Sequence, residues 1–360
     1  MTNQSQKIML GLSGGVDSAV AAHLLVEQGF DIECLFMKNW DEDDADGYCA
    51  AAVDLQDAQA VCQQLQLTLH TANFASEYWE HVFQIFLAEY RAGRTPNPDV
   101  LCNREIKFKT FLEHARGLGR TQLATGHYAQ IKFVDGIAQL CKAVDRNKDQ
   151  SYFLHLLNQE QLGASLFPLG TYTKPQVRQI AAQLGLVNQS KKDSTGICFI
   201  GERKFKDFLQ QYLPAQPGEM INENGKVIGQ HDGLMYYTIG QRQGLLIGGS
   251  KAGTGEPWFV AGKDLDNNKL ILVQGSEHPL LYRTSLEAQQ IHWIAGTPPD
   301  EKFKIRAKTR YRQDDQDCLI QLFSQSKALV TFDQPQRAIA PGQSVVFYQE
   351  EVCLGGGVIS

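Results

Sequence analysis

Hydrophobic and polar positions in residues 7–130 follow two periods that alternate along the chain. Short apolar runs of strand length are separated by segments in which apolar residues recur every three or four positions, as in a helix. The predicted strands are 7–10, 31–38, 67–74 and 122–125, and the predicted helices are 16–28, 50–65, 76–91 and 103–116. This alternation indicates an α/β fold with a parallel, doubly wound sheet, whose ligands bind at the carboxyl ends of the strands.

The pattern changes after residue 130. Asp135-Gly136 predicts the turn of a hairpin, and a proline in its first turn supports a helix over 173–185. From residue 201 helical periods become rare, and short strands are separated by glycines and turn residues. Residues 214–275 therefore predict a small β-rich domain, and residues 283–360 predict a small barrel or sandwich.

Length and composition fit a soluble protein with more than one core. The chain has 360 residues, of which 43% are hydrophobic and 21% charged, so we expect two or three domains. No apolar run approaches the roughly 20 residues of a membrane span and the first residues do not form a signal peptide, which predicts a cytoplasmic protein. Eight scattered cysteines without a CxxC pair argue against a zinc site and a disulfide framework.

The segment Gly11–Ser18 lies between the first predicted strand and the first predicted helix. A glycine-rich turn there aims backbone N–H groups and the positive end of the helix at one point, which favours an anion. The segment has neither the lysine of a Walker A loop nor the spacing of a Rossmann GxGxxG motif. Its Ser-Gly-Gly-x-Asp-Ser pattern resembles the pyrophosphate loop of the ATP-pyrophosphatase superfamily, with Asp17 as a candidate Mg²⁺ ligand. An ordinary glycine turn capped by Ser or Asp is the alternative.

Two cysteines lie in segments that indicate chemistry. Pro96 and Pro98 predict a rigid loop before Cys102, which the pattern places at the start of a helix, where a thiol pKa is lowered. Asp99 is placed to act as a general acid or base. A small buried cysteine without chemistry is the commoner alternative. Cys198 follows a polar stretch, and the sequence alone does not pair it with Cys102.

Alternate positions of Phe303–Arg312 are basic. With the period of a strand, the five cations project from one face, and they repel one another unless an anion lies there. These cations are Lys304, Arg306, Lys308, Arg310 and Arg312. In a chain of net charge −6, phosphate contact explains them better than a solvated barrel face does.

Seven motifs, in order along essentially the whole chain, resemble those of tRNA-specific 2-thiouridylases. They are Ser13–Ser18, Thr95–Asn103, Gly126–Tyr128, Lys148–Tyr152, Ser194–Phe199, Tyr237–Arg242 and Cys353–Gly357. The resemblance implies an ATP-pyrophosphatase (PP-loop) catalytic domain over 1–200, a small β-rich central domain over 201–280 and a C-terminal, tRNA-contacting β-barrel over 281–360. It also implies ATP-dependent thiolation, at C2, of wobble uridine 34 in the tRNAs for Lys, Glu and Gln.

The same resemblance implies roles for single residues. ATP, with Mg²⁺, would bind Gly11, Leu12, Ser13, Gly14, Gly15, Val16, Asp17, Ser18, Met37 and Gly126. The target base would lie on Asn97, Pro98 and Asp99, and tRNA would contact His127, Lys148, Asp149, Gln150, Tyr311, Arg312 and Gln343. Cys198 would carry a persulfide supplied by a cysteine desulfurase or sulfur-relay protein. Cys102 would be the nucleophile, and the two cysteines would form a transient disulfide.

Three other functions stay open from the sequence. An amidating ligase would need a glutaminase, often with an N-terminal cysteine, and residue 2 here is Thr. A tRNA 4-thiouridine synthetase would bring RNA-binding domains before the loop, which here starts at residue 11. A noncatalytic RNA-binding protein with ATP as a structural ligand predicts that Cys102→Ser and Cys198→Ser leave function intact, whereas the enzyme predicts that both abolish thiolation.

Overall fold

A computed structural model describes residues 6–40, 50–192, 205–245, 247 and 255–360. The strands are β1 Lys7–Gly11, β2 Asp31–Lys38, β3 Leu69–Asn73, β4 Gln122–Ala124, β5 Ala129–Val134, β6 Ile137–Lys142, β7 Ser165–Leu166, β8 Gly218–Asn222, β9 Val227–His231, β10 Trp258–Asp264, β11 Lys269–Gln274, β12 Tyr282–Trp293, β13 Lys302–Lys308, β14 Gln316–Ser324, β15 Lys327–Arg337, β16 Ser344–Gln349 and β17 Val352–Ile359. The α-helices are α1 Val16–Glu27, α2 Ala50–Leu65, α3 Ala75–Tyr78, α4 Gln84–Arg91, α5 Pro98–Leu101, α6 Phe111–Gly117, α7 Ser151–Leu154, α8 Gln159–Gly163, α9 Lys174–Gln183 and α10 Phe205–Gln210.

Five parallel strands form the first sheet, in the order β3-β2-β1-β4-β7. Its central strand β1 is apolar on both faces because helices cover both. Ile8 and Leu10 pack with α1, α2 and α9, whereas Met9 packs on the other side with the helices between β3 and β4. The prediction of a doubly wound parallel sheet is therefore confirmed. The chain leaves β1 and β4 toward opposite edges of the sheet, and such a switch point opens a crevice at the carboxyl ends.

Of two helices in this region, the first, over 75–91, agrees with the predicted helix 76–91, whereas the second begins earlier than predicted. α3 and α4 are continuous through a π-helical segment, Trp79–Phe83, and α5 and α6 through another, Cys102–Thr110. The second helix thus begins at Pro98 and not near residue 103. Proline favours the first helical turn because its missing N–H has no partner there in any case. The prediction that Cys102 lies at a helix start is therefore wrong.

Two further sheets follow in the chain. The central sheet has the order β10-β11-β8-β9. Strands β12 to β17 close into a six-stranded barrel in the order β12-β15-β14-β13-β16-β17, since β17 also pairs with β12. The hairpin β5–β6, with Asp135 and Gly136 at positive φ in its turn, pairs through β6 with β17. It adds two strands to the barrel sheet and joins the N-terminal region to the barrel.

The basic strand differs from its prediction. Strand β13 ends at Lys308, and Arg310 and Arg312 lie in the turn that follows. Lys304 and Arg306 are exposed, but the Lys308 side chain is buried beside Asp315, at 3.6 Å between Nζ and Oδ1. The prediction of five cations on one strand face is therefore wrong, because the strand is shorter and Asp315 and Tyr348 lie over Lys308 at its end. None of the described helices is long and apolar enough to cross a membrane.

Candidate functional site

The loop between β1 and α1 is shaped by its own side chains. The Ser18 hydroxyl donates to the Gly15 carbonyl oxygen at 3.0 Å and accepts from the Ser13 N–H at 3.2 Å. Gly14 has a φ of +74°, and a Cβ at this position would collide with the backbone of Asp54. The first N–H groups of α1, which starts directly after Gly15, have no partners within the helix. The loop therefore combines close-lying glycine backbone with a helix N-terminus, which suits a phosphate group.

Gly126 lies against this loop from the neighbouring strand. It follows β4, whose Ala124 is in register with Leu10 of β1. A Cβ on Gly126 would lie only 2.9 Å from the backbone nitrogen of Ser18. The structure thus brings together the loop and Gly126, as the sequence predicted. Met37, which is partly buried, lies at the carboxyl end of the adjacent strand β2.

Asp17 in the loop is held by Tyr128, which lies in the Gly126–Tyr128 motif but had no predicted role, and by Lys174. Its Oδ1 atom accepts from the Tyr128 hydroxyl at 2.9 Å and from Lys174 Nζ at 2.6 Å. Lys174 is the first residue of α9, so this helix places a cation beside the loop. In the described part of the chain, no group of three or more His, Cys, Asp and Glu side chains could hold a metal ion.

The loop is also held by two side chains from the segment that follows α9. The Gly14 carbonyl oxygen accepts from Asn188 Nδ2 at 2.9 Å, and Lys191 Nζ is 3.4 Å from it. Lys191 pairs with Asp54 and Asp57 of α2 at 2.7 and 2.5 Å. Burial lowers the pKa of Lys191, but the two carboxylates outweigh this effect and raise it. These anchors belong to a polar stretch after α9 and carried no sequence signal of their own.

Asp99 and Cys102 lie on one face of the helix that begins at Pro98. Residues three apart in a helix are neighbours on its surface, so the carboxyl and the thiol face the same region. Cys102 is buried, with 3% of its surface exposed. Burial raises the pKa of Asp99, and the charge of Lys107 partly opposes this rise. A carboxyl with a raised pKa is better suited to give and take protons at neutral pH.

His127 lies near the same helix, next to Gly126. Its Nδ1 is 2.7 Å from Thr125 Oγ1, and its ring lies 5.7 Å from that of Phe108 and 6.0 Å from that of Phe167. Burial lowers the pKa of His127 well below its usual range, and the charge of Lys107 adds to the effect. The imidazole is therefore neutral at neutral pH. Lys107, which acts on both Asp99 and His127, was missed in the sequence because its segment showed only helical periodicity.

The loop Gly93–Asn97, called the 93–97 loop below, leads into the helix that begins at Pro98 and carries Asp99, called the Asp99 helix below. The barrel contacts this loop through hydrogen bonds. Thr95 N–H donates to the Pro341 carbonyl oxygen at 2.8 Å. Gln343 Nε2 donates to the carbonyl oxygens of Thr95 and Pro96 at 2.8 and 3.2 Å. A Cβ on Gly342 would lie 2.9 Å from Thr95 N, so the barrel backbone itself touches the loop. Gln343, predicted to contact tRNA, thus contacts the loop that ends at Asn97, the first of the predicted target-base residues.

The segment Lys148–Gln150 is fixed by hydrogen bonds to Ser151 and to Tyr128. Asp149 is buried and accepts from the Ser151 hydroxyl at 2.8 Å, and burial raises its pKa. Gln150 N–H donates to the Tyr128 carbonyl oxygen at 2.7 Å, and Tyr128 N–H donates to Gln150 Oε1 at 2.9 Å. These bonds connect the segment through Tyr128 to Asp17.

Tyr311 and Arg312 lie beside this segment, on the barrel. The Tyr311 ring is 4.5 Å from that of Phe153, and burial, helped by the charge of Asp149, raises the pKa of Tyr311 to about 12. Arg312 is exposed. Tyr311 of the barrel therefore lies close to Phe153 and to Asp149 of the segment Lys148–Gln150. Cys198, the predicted persulfide carrier, lies outside the described residues.

Comparisons with known proteins cover the whole chain. A family model described as the tRNA methyl transferase HUP domain matches residues 6–202, its PRC-barrel counterpart matches 206–274, and an aminomethyltransferase β-barrel model matches 283–359. A curated tRNA-specific 2-thiouridylase MnmA from Pseudoalteromonas translucida (strain TAC 125) is 57% identical over 99% of this chain and 98% of its own length. The one from Escherichia coli (strain SMS-3-5 / SECEC) is 58% identical over 100% and 98%. The chain belongs to the tRNA-specific 2-thiouridylase family.

Membership of this family confirms the resemblance drawn from the seven motifs. The descriptions of two family models mention a methyl transferase, whereas the curated relatives are thiouridylases. Among solved structures, the U34-tRNA thiolase NcsA from Methanococcus maripaludis with its [4Fe-4S] cluster is 16% identical, with a TM-score of 0.34. The match covers 57% of this chain and 64% of that one, and a likeness of this size carries no argument about the site.

Proposed function

We propose that this chain is a tRNA-uridine 2-sulfurtransferase, which uses ATP to replace the C2 oxygen of a tRNA uridine with sulfur. The observation that carries the proposal is the pairing of Asp99 and Cys102 on one helix face, in a chain 58% identical over its whole length to a curated tRNA-specific 2-thiouridylase. The substrate is wobble uridine 34 of the tRNAs for Lys, Glu and Gln, and the 2-thiouridylase motifs of the sequence support this choice.

The first step activates the base. Oxygen is a poor leaving group, so the C2 oxygen attacks the α-phosphate of ATP, and pyrophosphate leaves. The loop from Gly11 to Ser18, with Gly126 and Met37, binds ATP, and its backbone N–H groups stabilise the phosphates. Mg²⁺ would accompany ATP and neutralise charge on its phosphates. Asp17, whose Oδ1 accepts from Tyr128 and Lys174, would be the carboxylate that the loop offers to this ion.

The second step transfers sulfur. The terminal sulfur of a persulfide on Cys198 attacks C2, and AMP leaves with the former C2 oxygen. The Cys102 thiolate then attacks Sγ of Cys198, which releases the thiolated base and leaves a Cys102–Cys198 disulfide. An external dithiol, which is itself oxidised to a disulfide, supplies the two electrons and two protons that restore both cysteines. In the alternative order Cys102 first frees hydrosulfide, which attacks C2 directly, and the products are the same.

The remaining groups act on protons and on RNA. Asp99, with its raised pKa, assists proton transfer at the base, which lies on Asn97, Pro98 and Asp99. The base leaves its stack to reach this buried position. Outside the base site, tRNA contacts His127, Lys148, Gln150, Tyr311, Arg312 and Gln343, and the buried Asp149 shapes the segment that holds two of them.

We divide the chain into a catalytic domain over 1–200, a central domain over 201–280 and a tRNA-contacting barrel over 281–360. The three family-model matches, at 6–202, 206–274 and 283–359, support these boundaries. The sulfur comes from a persulfide donor protein, such as a cysteine desulfurase or a sulfur-relay protein. We place the enzyme in the cytoplasm, together with tRNA and ATP.

The test is nucleoside mass spectrometry. tRNA is incubated with the protein, Mg-ATP and a sulfide source, and AMP and ADP are quantified in the same reactions. We expect 2-thiouridine and AMP in equal amounts. Cleavage of ATP to AMP without a thiolated base would mean that the enzyme acts on a different substrate. Absence of cleavage would favour a noncatalytic RNA-binding protein.

Cysteine variants separate the enzyme from that alternative. Cys102→Ser and Cys198→Ser should each abolish 2-thiouridine formation, because each removes a thiol that the sulfur transfer consumes. Cys318→Ala is a matched control, since Cys318 is buried in the barrel core. Thiolation by both serine variants at the wild-type rate would contradict the proposal.

A further inference from the structure

Lys263, on strand β10 of the central sheet, reaches across to the 93–97 loop. Its Nζ donates to the Gly93 carbonyl oxygen at 2.8 Å. Gly93 has a φ of +73°, and a Cβ on it would lie 2.5 Å from Leu265 Cδ2. The central sheet therefore contacts the start of the 93–97 loop, as the barrel contacts its middle.

The middle of this loop is fixed by the other two sheets, whereas its start is also tied to α4, through Gly93 N–H to the Tyr90 carbonyl oxygen and Arg94 N–H to the Glu89 carbonyl oxygen, both at 3.0 Å. Thr95 is bound by Pro341 and Gln343 of the barrel region, and its Oγ1 is 3.2 Å from that of Thr238, which precedes the central strand β10. Two of the residues at its end, Pro96 and Pro98, have no N–H to donate. Proline also restricts the backbone, so a shift at Gly93 is passed on to the start of the helix that carries Asp99 and Cys102.

The surroundings of Lys263 disfavour its charged form. A cavity of about 410 Å³ lies beside it, and the described residues that line this cavity include Arg94 and Arg283 but no carboxylate. Burial lowers the pKa of Lys263 to about 8. A folded-state pKa below the unfolded value means that the fold is penalised while the ammonium is charged, and that the penalty is relieved only as pH rises above about 8. A methionine would avoid this desolvation cost, so what the lysine adds at this place is its hydrogen bond to the Gly93 carbonyl oxygen.

We propose that Lys263 is a positioning residue for sulfur transfer, which holds the Gly93 carbonyl and so sets the place of Asp99 and Cys102. This inference rests on the proposed function. It gives the central sheet a part in the reaction through the hydrogen bond of Lys263 to the 93–97 loop. Lys263 does not touch the phosphate loop, and ATP binding should not depend on it.

The test compares Lys263→Met, which keeps the length but removes the donor, with Lys263→Arg, which keeps a charged donor. Lys269→Met is the matched control, because Lys269 on the adjacent strand β11 pairs with Glu219 at 3.3 Å. We expect Lys263→Met to lower kcat for thiolation roughly tenfold or more, since small misplacements of reacting groups cost that much. KM for ATP should stay unchanged, the unfolding midpoint at neutral pH should not fall, and Lys263→Arg should restore most of kcat.

A second measurement needs no thiolation activity. Iodoacetamide modification of Cys102, followed by peptide mass spectrometry of the tRNA-free protein, should be faster in Lys263→Met than in wild type and Lys269→Met, because the helix start opens more often. If the wild type forms no 2-thiouridine, the proposed function fails, and this comparison still decides on Lys263. Wild-type kcat and wild-type Cys102 modification in Lys263→Met would overturn the inference. So would a loss of kcat that Lys263→Arg shares together with a lowered unfolding midpoint.

Discussion

The Nε2 atom of Gln343 lies 2.8 Å from the carbonyl oxygen of Thr95, which binds the barrel to the loop before the Asp99 helix. The same amide also reaches the Pro96 carbonyl oxygen at 3.2 Å. Gln343 therefore has a structural partner in the absence of RNA. The chain uses a barrel side chain to hold Thr95 and Pro96, which directly precede the residues that, by the proposed function, receive the target base.

Gln343→Met tests whether this contact serves the reaction. The variant keeps the size of the side chain but donates no hydrogen bond, so the 93–97 loop loses a support. We expect kcat at saturating tRNA to fall about tenfold, because the base and Cys102 are then less well aligned, while KM for ATP stays the same. Gln349→Met, at the exposed end of strand β16, which begins directly after Gln343, is the control. A higher KM for tRNA with unchanged kcat would mean that Gln343 only contacts RNA.

Lys107 should control the pH dependence of thiolation. Burial raises the pKa of Asp99 and lowers that of His127, and the charge of Lys107 lowers both. In Lys107→Met the pKa of Asp99 therefore rises further, and the ionised carboxylate is lost at a higher pH. The acid limb of the pH–rate profile should move to higher pH.

Lys109→Met is the matched control, because Lys109 is exposed on the same helix and pairs with Glu105 at 3.2 Å. Its profile should coincide with that of the wild type. An acid limb in Lys107→Met that stays in place, or moves to lower pH, would exclude Asp99 as the group that titrates there.

Much of the first sheet could be predicted from the sequence, because its strands are apolar on both faces and its helices have clear periods. The phosphate loop and Gly126 could be predicted too, since glycine is required where Gly14 has a positive φ and where Gly126 touches Ser18. The start of the Asp99 helix could not, because Pro98 reads equally well as a loop residue or as a first helical residue.

The anchors of the site were also beyond sequence reasoning. Lys174, Lys191 and Lys263 each act on a residue far away in the chain, and a single lysine carries no local signal of its partner. For the basic strand, by contrast, the sequence carries a clear signal, which the structure confirms only in part. Its alternating pattern placed Lys308 correctly on the outer face of the barrel, but the pattern does not reveal that other residues cover that face.

Gly126→Ala should impair ATP binding while the fold stays intact. The added methyl group would lie 2.9 Å from the Ser18 nitrogen, and overpacking of this kind costs roughly 1–3 kcal/mol. If the phosphate loop absorbs the shift, the affinity for Mg-ATP falls roughly tenfold or more. Isothermal titration calorimetry measures this change. Gly117→Ala is the control, because no atom lies within 4 Å of a Cβ at Gly117. Wild-type ATP affinity in Gly126→Ala would refute the assignment of Gly126 to the ATP site.

Arg312 and Lys308 should differ in their effect on tRNA binding, although both belong to the basic segment. Arg312 is exposed, whereas Lys308 is 9% exposed and shares Asp315 with Lys142. Each phosphate contact adds about one unit to the slope of the logarithm of affinity against the logarithm of salt concentration. Arg312→Met should therefore reduce that slope by about one, and Lys308→Met should leave it unchanged. Filter binding of tRNA at several KCl concentrations measures both.

Lys308→Met should instead lower the stability of the fold, because the largely buried Asp315 then keeps only Lys142 as a partner. We expect a loss of roughly 1–3 kcal/mol in the free energy of unfolding, measured by urea titration. Arg312→Met should leave this free energy nearly unchanged, since its side chain is exposed. A smaller salt slope in Lys308→Met, with unchanged stability, would mean that the lysine leaves Asp315 to bind RNA, and that the basic face is larger than the one described above.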